Sequence, residues 1–278
     1  MEQELETLPA ISGNFPYVRA GASLFRDLNE QANRNLPAEE HLTIVRDARP
    51  IRDSLDLDRE GFVLVDYPSK HSGLRDVAAL DIPYHAEHQP LIEQLSRADL
   101  VIPYRPFLQV RMSPRKTVAG VTDSEDNARP APFPHADVNG KTFLTWTRDA
   151  RQAEGVEIRP FQRAALYQTW RAVSEPPQDY PLALTDGRSV KPGNYGLMAS
   201  VGDGRDEGIQ TRMAFHDPDQ LWYYFSNMTS DELLVFKGFD THFGDLQSVW
   251  HVSFDTLPQV PDAKPRESIE CRFLAFWF

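Results

Sequence analysis

The sequence predicts a mainly β fold with flanking helices (α+β), a jelly roll or barrel, and three observations carry that prediction. Short runs of β-branched and aromatic residues recur along the second half of the chain, each bounded by turn residues. The 22 prolines and 15 glycines are scattered rather than clustered, so they punctuate many short elements. Apolar residues make up 41% of the chain and aromatics 11%, enough for a substantial core.

Taken in order, residues 41–47 (HLTIVRD) and 61–67 (GFVLVDY) read as strands. Leu91, Ile92 and Leu95 then recur at helical spacing, which predicts a helix between Tyr84 and Leu100. Strand-like runs follow at 101–111, 162–171, 221–226, 232–237, 248–254 and 268–277. The segments near 112–134 and 174–216 read as insert loops. The expected organisation is one domain over 1–278, with an α/β support region over 1–100 and a jelly-roll core over 101–278. The polar stretch 112–130 lacks periodicity and leads straight into His135, a placement suited to a mobile lid.

Charge narrows the partners. Lys and Arg total 29 against 41 Asp and Glu, a formal net charge of −12. Nucleic acid and anionic membrane both need positive charge at the contact, so neither is expected as a partner. The one cysteine, Cys271, excludes a disulfide framework and a thiolate zinc site. The acidic opening MEQELETLPAISG has no signal-peptide pattern, and no stretch approaches the roughly 20 apolar residues that span a bilayer. A cytoplasmic protein is expected; its oligomeric state is not legible.

The sharpest local motif is His135-Ala136-Asp137. In an extended strand residues i and i+2 point to one face, so imidazole and carboxylate would share a space. They make two-thirds of the 2-His-1-carboxylate triad that binds Fe(II) in non-haem oxygenases. His216, His242 and His251 are candidates for the third ligand. His251 lies in the strand-like SVWHVSF and is the choice; His242 reads as a loop residue and His216 as a turn. Arg266 and Ser268 stand i, i+2 on the predicted final strand, opposite Ile269, Cys271 and Phe273. A guanidinium fork beside a hydroxyl suits a carboxylate, such as the distal one of 2-oxoglutarate. Arg272 falls on the same face and could replace Arg266 or bind substrate.

The order His-x-Asp, His, Arg-x-Ser is more specific than any of its parts, and longer segments accompany it. YQTWRAVSEPPQDYPLALTDGRSV (167–190), LWYYFSNMTSDELLVFKGFD (221–240), WHVSF (250–254), RESIECR (266–272) and HLTIVRDARPIRDSLDLDREGF (41–62) are the segments concerned. In them the chain resembles the Fe(II)/2-oxoglutarate-dependent oxygenases, within a bacterial and fungal group that includes the cephamycin hydroxylase component and gibberellin-desaturase-like hydroxylases. The resemblance implies a double-stranded β-helix (jelly-roll, cupin-like) core and Fe(II) held by His135, Asp137 and His251. It implies 2-oxoglutarate as co-substrate, bound by Arg266 and Ser268, with O2 as oxidant and succinate and CO2 released. The reaction implied is hydroxylation, desaturation or oxidative cyclisation of a small, biosynthetic molecule. His85 and His88 fall where that group begins a Tyr-rich helix and read as packing or surface residues. Gln168, Ala172 and Thr185 replace the group's usual Asn, Pro and Cys, which puts any inherited substrate in doubt.

Arg111, Arg171 and Arg188 are further candidates for contact with an acidic substrate. Trp222, Tyr223 and Tyr224 read as core, with Tyr224 kept as a pocket candidate. Two rivals stay open on sequence: a Zn(II) hydrolase or isomerase using the same ligands, and a non-catalytic binding barrel. The first has no use for the Arg-x-Ser pair; the second would bind metal without turnover. No Gly-x-Ser-x-Gly elbow supports a serine hydrolase.

Overall fold

A computed structural model describes residues 7–27, 36–105, 108–115, 129–201, 209–242 and 248–278. In chain order the strands are β1 (Ala10–Val18), β2 (Phe25–Asp27), β3 (Ala38–Asp47), β4 (Phe62–Asp66), β5 (Leu100–Pro103), β6 (Gln109–Met112), β7 (His135–Ala136) and β8 (Arg163–Ala172). They continue as β9 (Leu182–Thr185), β10 (Tyr195–Val201), β11 (Ile209–Ala214), β12 (Trp222–Tyr224), β13 (Glu232–Asp240), β14 (His251–Ser253) and β15 (Glu267–Trp277). The helices are α1 (Val77–Ser96) and α2 (Gly140–Glu154).

The strands form the two facing sheets of a jelly roll. One has the order β1-β3-β12-β9-β14-β7-β11-β10-β2, and the other β4-β13-β8-β15-β5 with β6 also on β15. Strand β15 shows how the sequence builds the layers. Its residues Ile269, Cys271, Phe273 and Ala275 pack outward with Tyr84 and Ile92 of α1. On the alternate face Leu274 and Phe276 meet Phe143 and Trp146 of α2. The same inner face carries Ser268, Glu270 and Arg272 further back along the strand. Between the sheets Phe62, Trp170, Leu184, Tyr223 and Phe236 fill a common core.

The sequence expectation contains none of β1, β2 and α2, and three of the segments that it did assign differ. Helix α1 starts at Val77, earlier than expected, capped by the Asp76 carboxylate accepting from Ala79 N at 3.1 Å. It runs through Pro83 and Pro90, and its tertiary packing outweighs the lost backbone donors. The predicted strand 101–111 divides into β5 and β6. The stretch 174–216, expected as an insert loop, supplies β9, β10 and β11. Strand β9 (LALT) is largely buried, so it lacks the polar alternation that marks a half-exposed strand. Of the expected lid, residues 116–128 lie outside the described residues.

Gly61, before β4, has φ +90°, and its carbonyl accepts from Lys237 N at 2.8 Å. A Cβ there would stand 2.6 Å from Val249 Cγ2 in the core. Gly61→Ala is therefore expected to cost about 1–3 kcal/mol of stability. Urea unfolding would read it as a lower midpoint with unchanged slope.

Candidate metal and co-substrate site

Strands β7 and β14 lie side by side, and His135 pairs directly with His251. Their rings stand 4.2 Å apart by centroid. Asp137, two residues past His135, points Oδ1 at both imidazoles, 3.4 Å from His135 Nε2 and 3.8 Å from His251 Nε2. All three prospective ligand atoms fall within 4.8 Å of one another. His135 Nδ1 meets Phe133 O at 2.8 Å, so the ring donates there and leaves Nε2 as the free electron pair. The other Asp137 oxygen, Oδ2, accepts from Arg272 Nε at 2.8 Å and Nη2 at 2.7 Å.

Electrostatics keep Asp137 and His251 in their ligand forms. Burial opposes the Asp137 charge, but Arg272 and the two imidazoles prevail and hold its pKa well below the usual carboxylate range. Burial, helped by His135, pulls the His251 pKa down to about 3, so that imidazole is neutral. Glu270 is half-buried beside the site with its pKa lowered: burial raises it, and Arg111 at 3.1 Å and Arg272 at 3.5 Å outweigh that.

Arg266 is the second unusual charge. It precedes β15, is 2% exposed, and donates from Nη1 to Ser268 Oγ at 2.5 Å and from Nη2 to Ser253 Oγ at 3.0 Å. Among the described residues its Nε meets no hydrogen-bond acceptor, and no carboxylate lies within ion-pair distance of the guanidinium. Burial pulls its pKa down to about 10. Asp179 anchors the backbone instead, accepting from Arg266 N at 2.7 Å and from Ser113 Oγ at 2.9 Å. A buried guanidinium backed by two hydroxyls is a receptor for an anion.

The cleft, about 380 Å³ including its open mouth, is lined by the three prospective ligands together with Arg266, Arg111 and Arg272. Trp170 and Leu182 supply apolar wall. Three other sequence candidates lie elsewhere. Arg171 takes the opposite face of β8 from Trp170 and binds Tyr84 Oη at 3.0 Å and His88 Nε2 at 3.3 Å. Arg188 pairs with Asp186 at 2.6 Å and Glu60 at 3.0 Å. Tyr223, Leu184 and His251 form one cross-strand row, so Tyr224 takes the other face, where it packs near Phe254. His85 and His88 are buried packing residues, each with Nδ1 at 2.6 Å from the carbonyl four residues back. Glu270 and Ser253 are not singled out by motif, although period-two alternation from Ser268 and from His251 places both in the cleft.

Comparisons with known proteins converge. A family model described as "Oxidoreductase/YMDC permease-like domain" matches residues 17–276. Among the described residues no helix is long and apolar enough to cross a membrane. The chain is 30% identical over 253 residues to the Fe(II)/2-oxoglutarate-dependent dioxygenase nvfI of Aspergillus novofumigatus, covering 88% of this chain and 87% of that protein. It is 28% identical to the hydroxylase/desaturase efuI of Hormonema carpetanum, covering 84% and 83%. It is 25% identical to the gibberellin cluster GA4 desaturase of Gibberella fujikuroi, covering 93% and 90%. A solved structure of the iron and alpha-ketoglutarate-dependent endoperoxidase NvfI superposes with a TM-score of 0.79 at 25% identity, covering 96% of this chain and 98% of that one.

Proposed function

The chain belongs to the Fe(II)/2-oxoglutarate-dependent dioxygenases, and we propose that His135, Asp137 and His251 hold its iron while Arg266 and Ser268 hold its co-substrate. It is an oxidoreductase that acts on small molecules and uses Fe(II), 2-oxoglutarate and O2. The donor set fits: two imidazoles and one carboxylate oxygen converge, the combination that suits non-haem Fe(II). Bound there, the metal supplies oxidation of a substrate C–H bond, coupled to conversion of 2-oxoglutarate to succinate and CO2.

The chain's own residues do the positioning. His135 and His251 present Nε2, and Asp137 presents Oδ1 because Arg272 engages Oδ2. Arg266, with Ser268 and Ser253 beside it, takes the distal carboxylate of 2-oxoglutarate, and Trp170 and Leu182 shield its carbon chain from water. Arg111 and Glu270 remain to face the substrate. The reaction is hydroxylation, desaturation or oxidative cyclisation of a small biosynthetic metabolite, carried out in the cytoplasm. The observation that carries the assignment is the buried Arg266, with no described carboxylate beside it, in the same cleft as three convergent ligands.

Anaerobic titration with Fe(II) and 2-oxoglutarate tests it. The wild type should develop a weak visible metal-to-ligand charge-transfer band, and Asp137→Ala should not. A band of equal strength in Asp137→Ala would overturn the ligand assignment.

A further inference from the structure

His251 Nδ1 is buried with no hydrogen-bond partner among the described residues, in contrast to His135 Nδ1. Both amide atoms of Gln168, a residue 1% exposed, are in the same position. These orphans come from facing sheets. On the second sheet Gln168 of β8 pairs with Arg272 of β15 on one side and with Phe236 of β13 on the other, in one cross-strand row. Directly paired residues share a face, and Arg272 reaches across the cleft to Asp137 at 2.7 Å. Phe236, on the far side of Gln168, packs against the His251 ring at 5.1 Å by centroid. The Gln168 side chain therefore projects toward the ligands, between two residues that touch them. Its amide has room there because position 238 lacks a side chain: a Cβ at Gly238 would stand 2.7 Å from Gln168 Nε2.

An imidazole that binds a metal through Nε2 carries its proton on Nδ1, and metal-bound histidines almost always hand that proton to an oxygen. Left buried without an acceptor, the N–H costs about 1–3 kcal/mol. Within the row, Arg272 can only donate and Phe236 is apolar. We propose that Gln168 is the positioning residue for His251. Its side-chain carbonyl accepts the Nδ1 proton, directly or through one buried water, and so fixes Nε2 toward Asp137. The proposal rests on the iron-site reading above and extends it to a residue in none of the ligand motifs.

Gln168→Met keeps the length and bulk of the side chain and removes both hydrogen-bonding groups. Anaerobic Fe(II) titration of this variant should show affinity lowered about 10- to 100-fold, with the apo-protein melting no lower than wild type. Histidine ¹⁵N NMR of the Zn(II)-loaded wild type should show a slowly exchanging His251 Nδ1–H, and fast exchange in the variant. Unchanged Fe(II) affinity in Gln168→Met would overturn the proposal. So would a wild-type spectrum with the His251 proton on Nε2 or freely exchanging, which decides the matter even if the variant fails to fold. Wild-type protein that binds no Fe(II) would sink the iron-site reading itself, and the proposal with it.

Discussion

Arg266→Met should give a protein that is more stable without its co-substrate and no longer stabilised by it. Burial disfavours the charged guanidinium in the fold and pulls its pKa down to about 10. Because the folded value lies below the unfolded one, the penalty is fully present at neutral pH and is relieved only as pH rises past about 10. Its size is on the order of 3 kcal/mol. The bonds to Ser253 and Ser268 offset about 1 kcal/mol each. The balance favours methionine by about 1 kcal/mol, a rise in apo Tm of a few degrees. Losing the ion pair to the distal carboxylate costs about 2–5 kcal/mol of co-substrate binding, roughly 30-fold or more. Wild-type Tm should climb with added 2-oxoglutarate, while that of the variant stays flat. A variant that melts lower yet still gains from 2-oxoglutarate would show Arg266 to be a structural residue.

How far the sequence reaches is visible in where it stops. The strands that carry chemistry stand out because one of their faces must be apolar. Ile269, Cys271 and Phe273 alternate with Ser268, Glu270 and Arg272, and that alternation gave both β15 and its polar face. Strands β10 and β11 escape because Gly196, Met198 and Met213 weaken β-branched character, and β9 because it is largely buried. Helix α2 did carry a local signal, Asn139 at its start and Gly155 with φ 63° past its end. In the site, the metal motif is local for His135 and Asp137, three residues of one extended segment. His251 is brought to them by a pairing between β7 and β14 that no local pattern encodes.

The arginines mark the limit more sharply. Arg111, Arg171, Arg188, Arg266 and Arg272 look alike in sequence, and their neighbours in space separate them. Arg171 lies one residue from Trp170 on β8, so the strand's alternation turns it away from the cleft to Tyr84 and His88. Arg272 and Arg266 share a face, but Asp137 is within reach of the first, and no described carboxylate of the second. Arg272, paired with a carboxylate, positions a ligand, whereas Arg266, with hydroxyls but no described carboxylate beside it, is left to bind an anion.

Arg272→Met is the variant expected to harm the fold most. It leaves the largely enclosed Asp137 carboxylate without its guanidinium, and removing one member of an ion pair held away from solvent costs about 3–5 kcal/mol. The apo-protein should melt lower by roughly 6–20 °C. Glu270 loses Arg272 at 3.5 Å but keeps Arg111 at 3.1 Å, so the larger loss falls on Asp137. The sign of the pH effect follows. With Arg272 in place the folded pKa of Asp137 is depressed, so its contribution is present above the unfolded carboxylate value and disappears only as pH falls through the lower folded value. Without Arg272, burial pushes that pKa up, and acid unfolding should begin at higher pH. Divalent metal distinguishes charge balance from packing. A cation at the Asp137 oxygens replaces the missing positive charge, so saturating Zn(II) should raise the Tm of the variant more than that of wild type. An equal rise in both, with unchanged acid unfolding, would mean that Arg272 only fills space; a larger rise in the variant would make it the counter-charge that keeps Asp137 ionised until the metal arrives.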